Sequence, residues 1–257
     1  MNACIQMSPL FPSMKKCSLT VNKRTDIEEM EFTDFLLKLR NGEEEICEDI
    51  GHQTIRVPSE YLVKSPTDLI SAIFPNLEGG DVDSLIDGAI YTPLNINAAF
   101  INKLCLDQLP GESKVYLSAD KIMEVDHKEE FRTELINTIT VSGLPDHELE
   151  LKEGCPVILI RNLQGGPNNS LKNGTRMIVI KMMERVLECE LATGALKGKR
   201  VFLPRIPMTD KSNEFPFTIV RRQFPLKLAF CLTINKVKLN EASLNVANKI
   251  FKYLVYQ

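Results

Sequence analysis

The sequence predicts an α/β fold into which a small β-barrel is inserted, on three observations. Residues 226–234 form an almost unbroken apolar run that ends on polar side chains, which is typical of a strand buried on both faces of a parallel sheet. Amphipathic helices alternate with short apolar strands over residues 1–146. Over residues 147–208, short strands and turns follow each other closely, which indicates a small barrel. Residues 209–257 are predicted to return to the α/β domain with one strand and a terminal helix.

Composition restricts the class of function. The chain has 257 residues, of which 44% are apolar, so it can bury one or two ordinary cores. Its formal net charge is −3, which excludes nucleic-acid binding through bulk positive charge. Any contact with DNA must therefore come from local clusters of cations, and such binding weakens steeply as salt is added.

Cysteine and histidine usage argues against a metal site and against a disulfide framework. The seven cysteines and three histidines are scattered, and no two cysteines are spaced Cys-x-x-Cys. We therefore expect reduced, mostly buried thiols, no metal, and an intracellular protein. No apolar run approaches the roughly 20 residues that a membrane span needs, and the amino terminus has no signal-peptide pattern, so no membrane contact is expected.

Helix and strand signals alternate in the first 146 residues. Apolar side chains at i, i+3, i+4 and i+7 predict a helix over residues 32–39. Ser65, followed by proline and an acid, predicts a capped helix that runs to about residue 74. Residues 89–92 are a buried-strand candidate, and Asn95 is the expected cap of the next helix, whose core face is predicted to carry Ile96, Phe100, Ile101 and Leu104. Further predicted elements are strands over residues 17–21, 55–57 and 115–120 and a helix over residues 131–139.

Strong turn signals organise residues 147–208. Gly165-Gly166-Pro167 and Asn173-Gly174 are such turns. Gly194-x-x-x-Gly198-Lys199 superficially resembles a phosphate-binding loop, but its spacing is one residue short and an arginine replaces the required serine or threonine, so we interpret it as a hairpin. The strands predicted between the turns cover residues 155–160, 176–181, 187–191 and 200–203.

Polar residues at the end of the apolar run are candidates for ligand contact. In open parallel sheets, ligands bind beyond the carboxyl ends of the strands. Thr233 and Lys236 supply a hydroxyl donor and a cation at that end, so they are placed to contact a ligand. Lys152, Arg161 and Arg176 are cations of the predicted barrel, and simple solvation is the alternative to ligand contact for them.

Several stretches of the chain resemble Pif-type DNA helicases of superfamily 1. The most specific is LPDHELELKEGCPVILIRNL followed by LKNGTR, which is similar to the SH3-like barrel that these helicases insert into their second motor domain. RRQFPLKLAFCLTINK resembles a passage of the same family, above all of the helicases carried by Helitron transposons. Residues 8–24 resemble the segment that follows the family's first motor domain. The resemblance implies a partial RecA-like second motor domain with an inserted small SH3-like β-barrel.

For ATP, the resemblance assigns a role to one residue. Arg24 matches the family's arginine that approaches the γ-phosphate of ATP, where a guanidinium can stabilise the charge of a transferring phosphoryl group. A solvated arginine at a strand end is the alternative. The chain contains neither Gly-x-x-x-x-Gly-Lys-Ser/Thr nor the carboxylate pair that holds magnesium. No cofactor is therefore expected in this chain alone, whereas the intact family uses ATP and Mg, and a separate chain could supply the ATP-binding domain.

For single-stranded DNA, the resemblance implies several contacts. Thr233, Asn235 and Lys236 match the Thr-Ile-Asn-Lys tip that a strand of the second motor domain delivers to the DNA. The remaining candidates are Asn95 and Asn102, near the family's DNA track, and Lys152 and Arg176, on the barrel.

Two functional hypotheses follow. The first is a fragment of an ATP-dependent DNA helicase that translocates on single-stranded DNA, with the second motor domain and barrel present and no activity alone. After Lys236 the chain departs from the family, with Val237-Lys238-Leu239 in place of Ser-Gln-Gly, and its last helix is atypical. The second hypothesis is a domesticated, non-enzymatic DNA- or protein-binding module derived from a transposon helicase. The resemblance further implies a nuclear rather than mitochondrial protein, and for the family DNA repair, recombination and telomere maintenance.

Overall fold

The chain divides into two compact units, Met1–Arg56 and Val57–Gln257. A computed structural model describes residues 8–15, 17, 30–43, 62–123, 133–139, 141, 143–164, 170–210, 215 and 217–233. In the first unit these residues form a 3-10 turn at Phe11–Ser13 and helix α1 at Met30–Asn41. Helix α1 confirms the helix predicted over residues 32–39. The predicted strand at 55–57 lies outside the described residues, as does the one at 17–21 except for Cys17.

Helices of the second unit begin where the local sequence indicates. Helix α2 (Pro66–Ile73) has Ser65 as its N-cap, and the Ser65 hydroxyl accepts a hydrogen bond from the main-chain N–H of Asp68 at 3.1 Å. The capped helix predicted there is confirmed, because proline at the first position and an acid in the first turn both suit a helix start. The other helices are α3 (Val82–Asp87), α4 (Asn95–Gln108) and α5 (Thr133–Thr138).

The strands of the second unit form several small sheets rather than one large one. In chain order they are β1 (Ile90–Thr92), β2 (Lys114–Leu117), β3 (Ala119–Met123), β4 (Glu148–Leu151), β5 (Pro156–Leu159), β6 (Leu163–Gln164), β7 (Ser170–Leu171), β8 (Arg176–Met182), β9 (Val186–Leu191), β10 (Arg200–Pro204), β11 (Ile206–Thr209), β12 (Thr218–Gln223), β13 (Leu226–Leu228) and β14 (Cys231–Thr233). Strands β2 and β4 pair with each other, as do β6 and β7, and the remaining strands form the three sheets that matter for the site. The mixed helix and strand content confirms the predicted α/β class.

Much of the region predicted as a barrel forms a five-stranded antiparallel sheet in the order β10-β9-β8-β5-β13, whereas its strand β4 pairs with β2 and its strands β6 and β7 pair with each other. Four of its strands come from residues 147–208, and the fifth, β13, comes from beyond them. Apolar side chains of β5, β8 and β9 share one hydrophobic core with helices α2 and α4. The sheet is thus packed directly on the α/β part of the unit, while the domain boundaries at 146/147 and 208/209 stay predictions.

The apolar run at residues 226–234 does not form one strand, which corrects the prediction. Strand β13 pairs with β5 in the antiparallel sheet, whereas β14 pairs in parallel with β1. Between them, the Ala229 N–H donates to the carbonyl of Pro156 at 2.9 Å and the Phe230 carbonyl accepts from the Ile90 N–H at 2.8 Å. Because both neighbouring sheets supply partners, the backbone can turn here without leaving buried polar groups unpaired. The run is apolar because it is buried in two sheets in succession.

A second antiparallel sheet has three strands, in the order β11-β12-β3. Its buried face packs against helix α5 through Ile136, Met208 and Ile219. The strand predicted over residues 115–120 is in fact two strands, β2 and β3, which join different sheets. Ser118 separates them, and its N–H donates to the carbonyl of His147 at 2.9 Å, one position beyond the last β2–β4 pair, in which Leu117 lies opposite Glu148.

Buried thiols account for most of the described cysteines, as expected from the sequence. Cys105, Cys155, Cys189 and Cys231 are buried and free, whereas Cys17 is exposed. Burial raises the pKa of Cys155, Cys189 and Cys231 to about 12. These sulfurs are therefore neutral thiols at physiological pH, and such thiols are poor nucleophiles and poor metal ligands.

Candidate nucleic-acid interface

Two of the predicted DNA-contact residues meet at one edge of the parallel strand pair. In the register of β1 and β14, Thr92 lies opposite Thr233, so both strands end at the same edge. Helix α4 begins at Asn95, three residues after Thr92. Thr92 is buried, Thr233 is half-buried and Asn95 is exposed. This carboxyl edge, made by Thr92, Asn95 and Thr233, therefore presents a hydroxyl and an amide side chain beside the start of a helix.

Asn95 is the first residue of helix α4 and not its cap, which corrects the prediction. Leu94 occupies the N-cap position with an extended backbone and makes no side-chain capping bond. A leucine side chain has no acceptor for the amides of the first helical turn. Those N–H groups lie at the start of the helix, where the helix dipole favours an anion.

Asn102 has a structural role that the sequence did not reveal. Its Nδ2 donates to the carbonyl of Cys231 at 2.8 Å, and its Oδ1 accepts from the Cys231 N–H at 2.9 Å. The amide thereby replaces a neighbouring strand along the edge of β14 that β1 does not cover. Asn102 is buried, so it does not face a ligand. Its two hydrogen bonds to Cys231 fix strand β14 and thereby the position of Thr233. A polar residue among the buried positions of an amphipathic helix is the sequence signal that could have suggested this.

The core face predicted for helix α4 is partly wrong. Ile101 is buried and Leu104 partly buried, but the exposed fractions of Ile96 and Phe100 are 75% and 56%. Leu94, just before the helix, is 56% exposed. The buried side of the helix combines Ile101 and Leu106 with the small or polar residues Ala98, Asn102 and Cys105. An exposed apolar patch of Leu94, Ile96 and Phe100 therefore borders the carboxyl edge.

Arg176, predicted to contact DNA, is a buried structural arginine. It is 7% exposed, and its guanidinium donates to the carbonyls of Ile86 at 3.3 Å, Gly88 at 2.5 Å and Ala229 at 3.0 Å. Burial raises the pKa of Tyr91, and the charge of Arg176 lowers it in part. The guanidinium thus joins β8 to the end of α3 and to the β13–β14 turn, and in this position a DNA phosphate cannot reach it. The three carbonyls that accept from the guanidinium belong to residues far from Arg176 in sequence. For this reason, the strand and turn pattern of residues 147–208 did not predict the burial of Arg176.

Lys152 and Arg161 are also engaged within the protein, although neither is fully buried. The Nζ of Lys152 donates to the carbonyl of Leu109 at 2.6 Å, at the carboxyl end of helix α4. A cation there is favoured by the helix dipole. Arg161 Nη2 donates to the carbonyl of Thr209 at 3.1 Å. The other predicted residues, Arg24, Asn235 and Lys236, lie outside the described residues.

A buried polar network joins residues that the sequence reasoning did not assign to any site. The Nη2 of Arg221 lies 2.7 Å from Asp120 Oδ2, with the two side chains 1% and 0% exposed. Ser118 Oγ donates to Asp120 Oδ1 at 2.5 Å and lies 2.7 Å from His147 Nδ1. Gln223 Nε2 donates to the carbonyl of His147 at 3.1 Å. The network holds the three-stranded sheet to the segment before β4, and it is not a nucleophile–base set because the serine proton is directed to an aspartate that Arg221 already neutralises.

Metal-ligand clusters and membrane-spanning helices are both absent from the part of the chain that the structure describes. No three His, Cys, Asp or Glu side chains there are grouped as metal ligands. None of the helices described there combines the length and apolar character needed to traverse a lipid bilayer.

Comparison with known proteins identifies relatives of this chain. Residues 134–182, from helix α5 to the end of β8, match the family model of the DNA helicase Pif1 2B domain. The Pif1 helicase from Candida albicans matches 96% of this chain and 57% of its own length, with a TM-score of 0.53 and 18% identity. This similarity shows a shared fold, and the chain spans little more than half of that helicase.

Other solved structures match over less of their length. Unliganded Pif1 from Bacteroides sp matches 58% of this chain and 42% of its own, with a TM-score of 0.39 and 21% identity. Bacteroides Pif1 bound to single-stranded DNA matches 68% of this chain and 41% of its own, with a TM-score of 0.40 and 18% identity. No curated protein matches the chain.

Proposed function

We propose that this chain, as a portion of a Pif-type helicase, is the part of an ATP-dependent DNA motor that binds single-stranded DNA. By itself, the chain hydrolyses no ATP. The observation that carries the proposal is the carboxyl edge, where Thr233 lies opposite Thr92 and helix α4 begins at Asn95, three residues after Thr92. Ligands of open α/β sheets bind at this kind of edge. Residues 221–236 resemble the corresponding passage of the Helitron transposon helicases, and we propose the same origin for this chain.

The carboxyl edge can hold a DNA backbone through neutral donors and a helix start. The Thr233 hydroxyl and the Asn95 amide can donate to phosphate oxygens, and the first amides of helix α4 add donors with a favourable dipole. Asn235 and Lys236 follow Thr233 directly in the chain, and Lys236 would add the cation that the described part of the edge lacks. Contacts of this kind fix the strand without reading its sequence.

ATP hydrolysis would require groups from a further domain. These 257 residues contain no Gly-x-x-x-x-Gly-Lys-Ser/Thr loop, and that loop provides most of the binding and positioning in such catalysis. We therefore expect the pure chain to show no ATP turnover with saturating single-stranded DNA, in a phosphate-release assay. The matched control is Arg24→Ala, which must give the same background rate. Turnover by the wild-type chain that Arg24→Ala abolishes would contradict the proposal.

Binding of single-stranded DNA tests the carboxyl edge directly. Thr233→Val keeps the shape of the side chain and removes the hydroxyl, so we expect it to weaken binding by about tenfold, the equivalent of one hydrogen bond to a charged group. Thr233→Ser retains the hydroxyl and should bind as the wild type does. The measurement is fluorescence anisotropy with a labelled oligonucleotide at low and at moderate salt. Equal affinity of Thr233→Val and wild type would exclude this edge as a contact.

A second candidate function is a non-enzymatic module that binds a protein. The exposed apolar patch of Leu94, Ile96 and Phe100 favours it, because contiguous exposed apolar side chains often mark interaction sites. If the wild-type chain binds no single-stranded DNA at either salt concentration, this second candidate replaces the first.

A further inference from the structure

The two faces of the three-stranded sheet differ sharply in character. One face carries Met208, Ile219 and Arg221, all buried. Because side chains alternate along a strand, the residues between them point to the other face. On β12 these are Val220 and Arg222, and both have solvent exposure. The second face is therefore an open surface, here named the outer face.

Hydrogen-bond donors cluster at the centre of the outer face. The register places Val220 between Thr209 on β11 and Lys121 on β3. Arg222 lies two residues further along β12, opposite Ala119. In an antiparallel pair, such diagonal neighbours are roughly 7–8 Å apart, so a guanidinium, an ammonium and a hydroxyl surround Val220 within reach of one another. Lys121, Thr209 and Arg222 are all exposed.

The outer face has no carboxylate at any of its described positions. Those positions are Pro207, Thr209, Thr218, Val220, Arg222, Ala119, Lys121 and Met123. A third cation stands at the border, since Arg161 bonds the carbonyl of Thr209 on the edge strand β11. The face is thus positive in a chain whose net charge is −3.

Elsewhere in the described residues, several exposed cations are matched by acids. Lys103 pairs with Asp107 at 2.9 Å and with Glu150 at 2.8 Å. Arg200 lies 2.9 Å from Glu188, on the neighbouring strand. Neither Lys121 nor Arg222 has an ion-pair partner among the residues that the structure describes, and the same is true of Lys197 and Lys199 in the β9–β10 turn. Cations that are left unmatched on an open face suit an external anion.

We propose that the outer face binds the phosphate backbone of single-stranded DNA through Lys121 and Arg222, as a contact separate from the carboxyl edge. This inference rests on the DNA binding proposed above. Charge complementarity selects a polyanion as the occupant, because two neighbouring cations and a hydroxyl can engage successive phosphates. Met123, 54% exposed, lies on the same face of β3 as Lys121 and offers an apolar surface for an unpaired base. On the opposite face, the buried ion pair between Arg221 and Asp120 joins β12 to β3 and so fixes the backbone position of Arg222.

The salt dependence of binding tests the outer face. For single strands, each phosphate contact contributes about 0.7 to the slope of log affinity against log salt, so Lys121→Ala with Arg222→Ala should make the slope shallower by about 1.4. The control is Lys197→Ala with Lys199→Ala, which removes the same charge from exposed positions of the β9–β10 turn and should leave the slope unchanged. A conservative pair, Lys121→Arg with Arg222→Lys, should retain the wild-type slope. Circular dichroism checks that each variant is folded.

Each outcome of this experiment decides between the two binding proposals. A shallower slope in the Lys121 and Arg222 variant, with the control unchanged, supports the outer face. If Thr233→Val weakens binding and the Lys121 and Arg222 variant keeps the wild-type slope, the outer-face proposal alone is wrong. If the Lys197 and Lys199 control makes the salt slope equally shallow, the slope reports only the total charge of the chain, and the outer-face proposal is wrong. If the wild-type chain binds no single-stranded DNA, both proposals fail.

Discussion

Replacing Arg221 with methionine is expected to lower the free energy of unfolding by about 3–5 kcal/mol, the cost of removing one partner from a buried ion pair. The Asp120 carboxylate would remain inside the protein with its side chain 0% exposed and without its cation. The same change removes a donor to the carbonyl of Pro145, at 3.0 Å, and donors to those of Ile136 and Ile139, both at 3.3 Å. Three segments of the chain would lose their common partner. Urea denaturation of the purified chain measures the effect.

The neighbouring arginine provides the matched control. Arg222→Met makes the same chemical change one residue along β12, at an exposed position, and should alter the free energy of unfolding by no more than about 0.5 kcal/mol. Combining Arg221→Met with Asp120→Leu should cost less than the sum of the two single changes, because no buried charge is left alone. Additive losses, or an Arg221→Met protein as stable as wild type, would show that the ion pair does not hold the sheet.

Arg176→Met should destabilise the protein by about 3 kcal/mol, since the substitution leaves three buried carbonyls without their charged donor. Those carbonyls belong to Ile86, Gly88 and Ala229, which lie 90, 88 and 53 residues away from Arg176 in sequence. The loss should therefore loosen the connection between the five-stranded sheet and the parallel pair. Arg176→Lys retains the charge but supplies a different donor geometry, and an intermediate loss is expected.

Stability and DNA binding separate the two roles considered for Arg176. Denaturation with urea gives the stability of Arg176→Met, and anisotropy at a temperature where the variant is folded gives its DNA affinity. The structural role predicts a large loss of stability with the salt slope unchanged. A stable Arg176→Met protein whose salt slope is shallower would instead establish the DNA contact that the sequence suggested.

Several residues of the stretches that resemble the helicase family lie in the interior of the protein and not on a surface that could contact DNA. His147 and Arg221 come from two such stretches, and together with Ser118 and Asp120 they form one buried network. Their shared role is to fasten the three-stranded sheet. Agreement with a family pattern at these positions therefore reports a common fold, and function has to be argued from the exposed residues at the carboxyl edge and on the outer face.

Local physical chemistry, readable from the sequence, determined where helix α2 begins and which segments are buried. Ser65 caps helix α2 through an atom three residues away, and apolar content alone marked residues 226–234 as interior. Only the tertiary structure decided that this run divides between two sheets, because the division depends on partners in β1 and β5. It likewise decided that Arg176 and Asn102 are buried supports while Ile96 and Phe100 are exposed. The charge, size and apolar character of a side chain are local properties, but the groups that surround it come from distant parts of the chain and are fixed only when the chain folds.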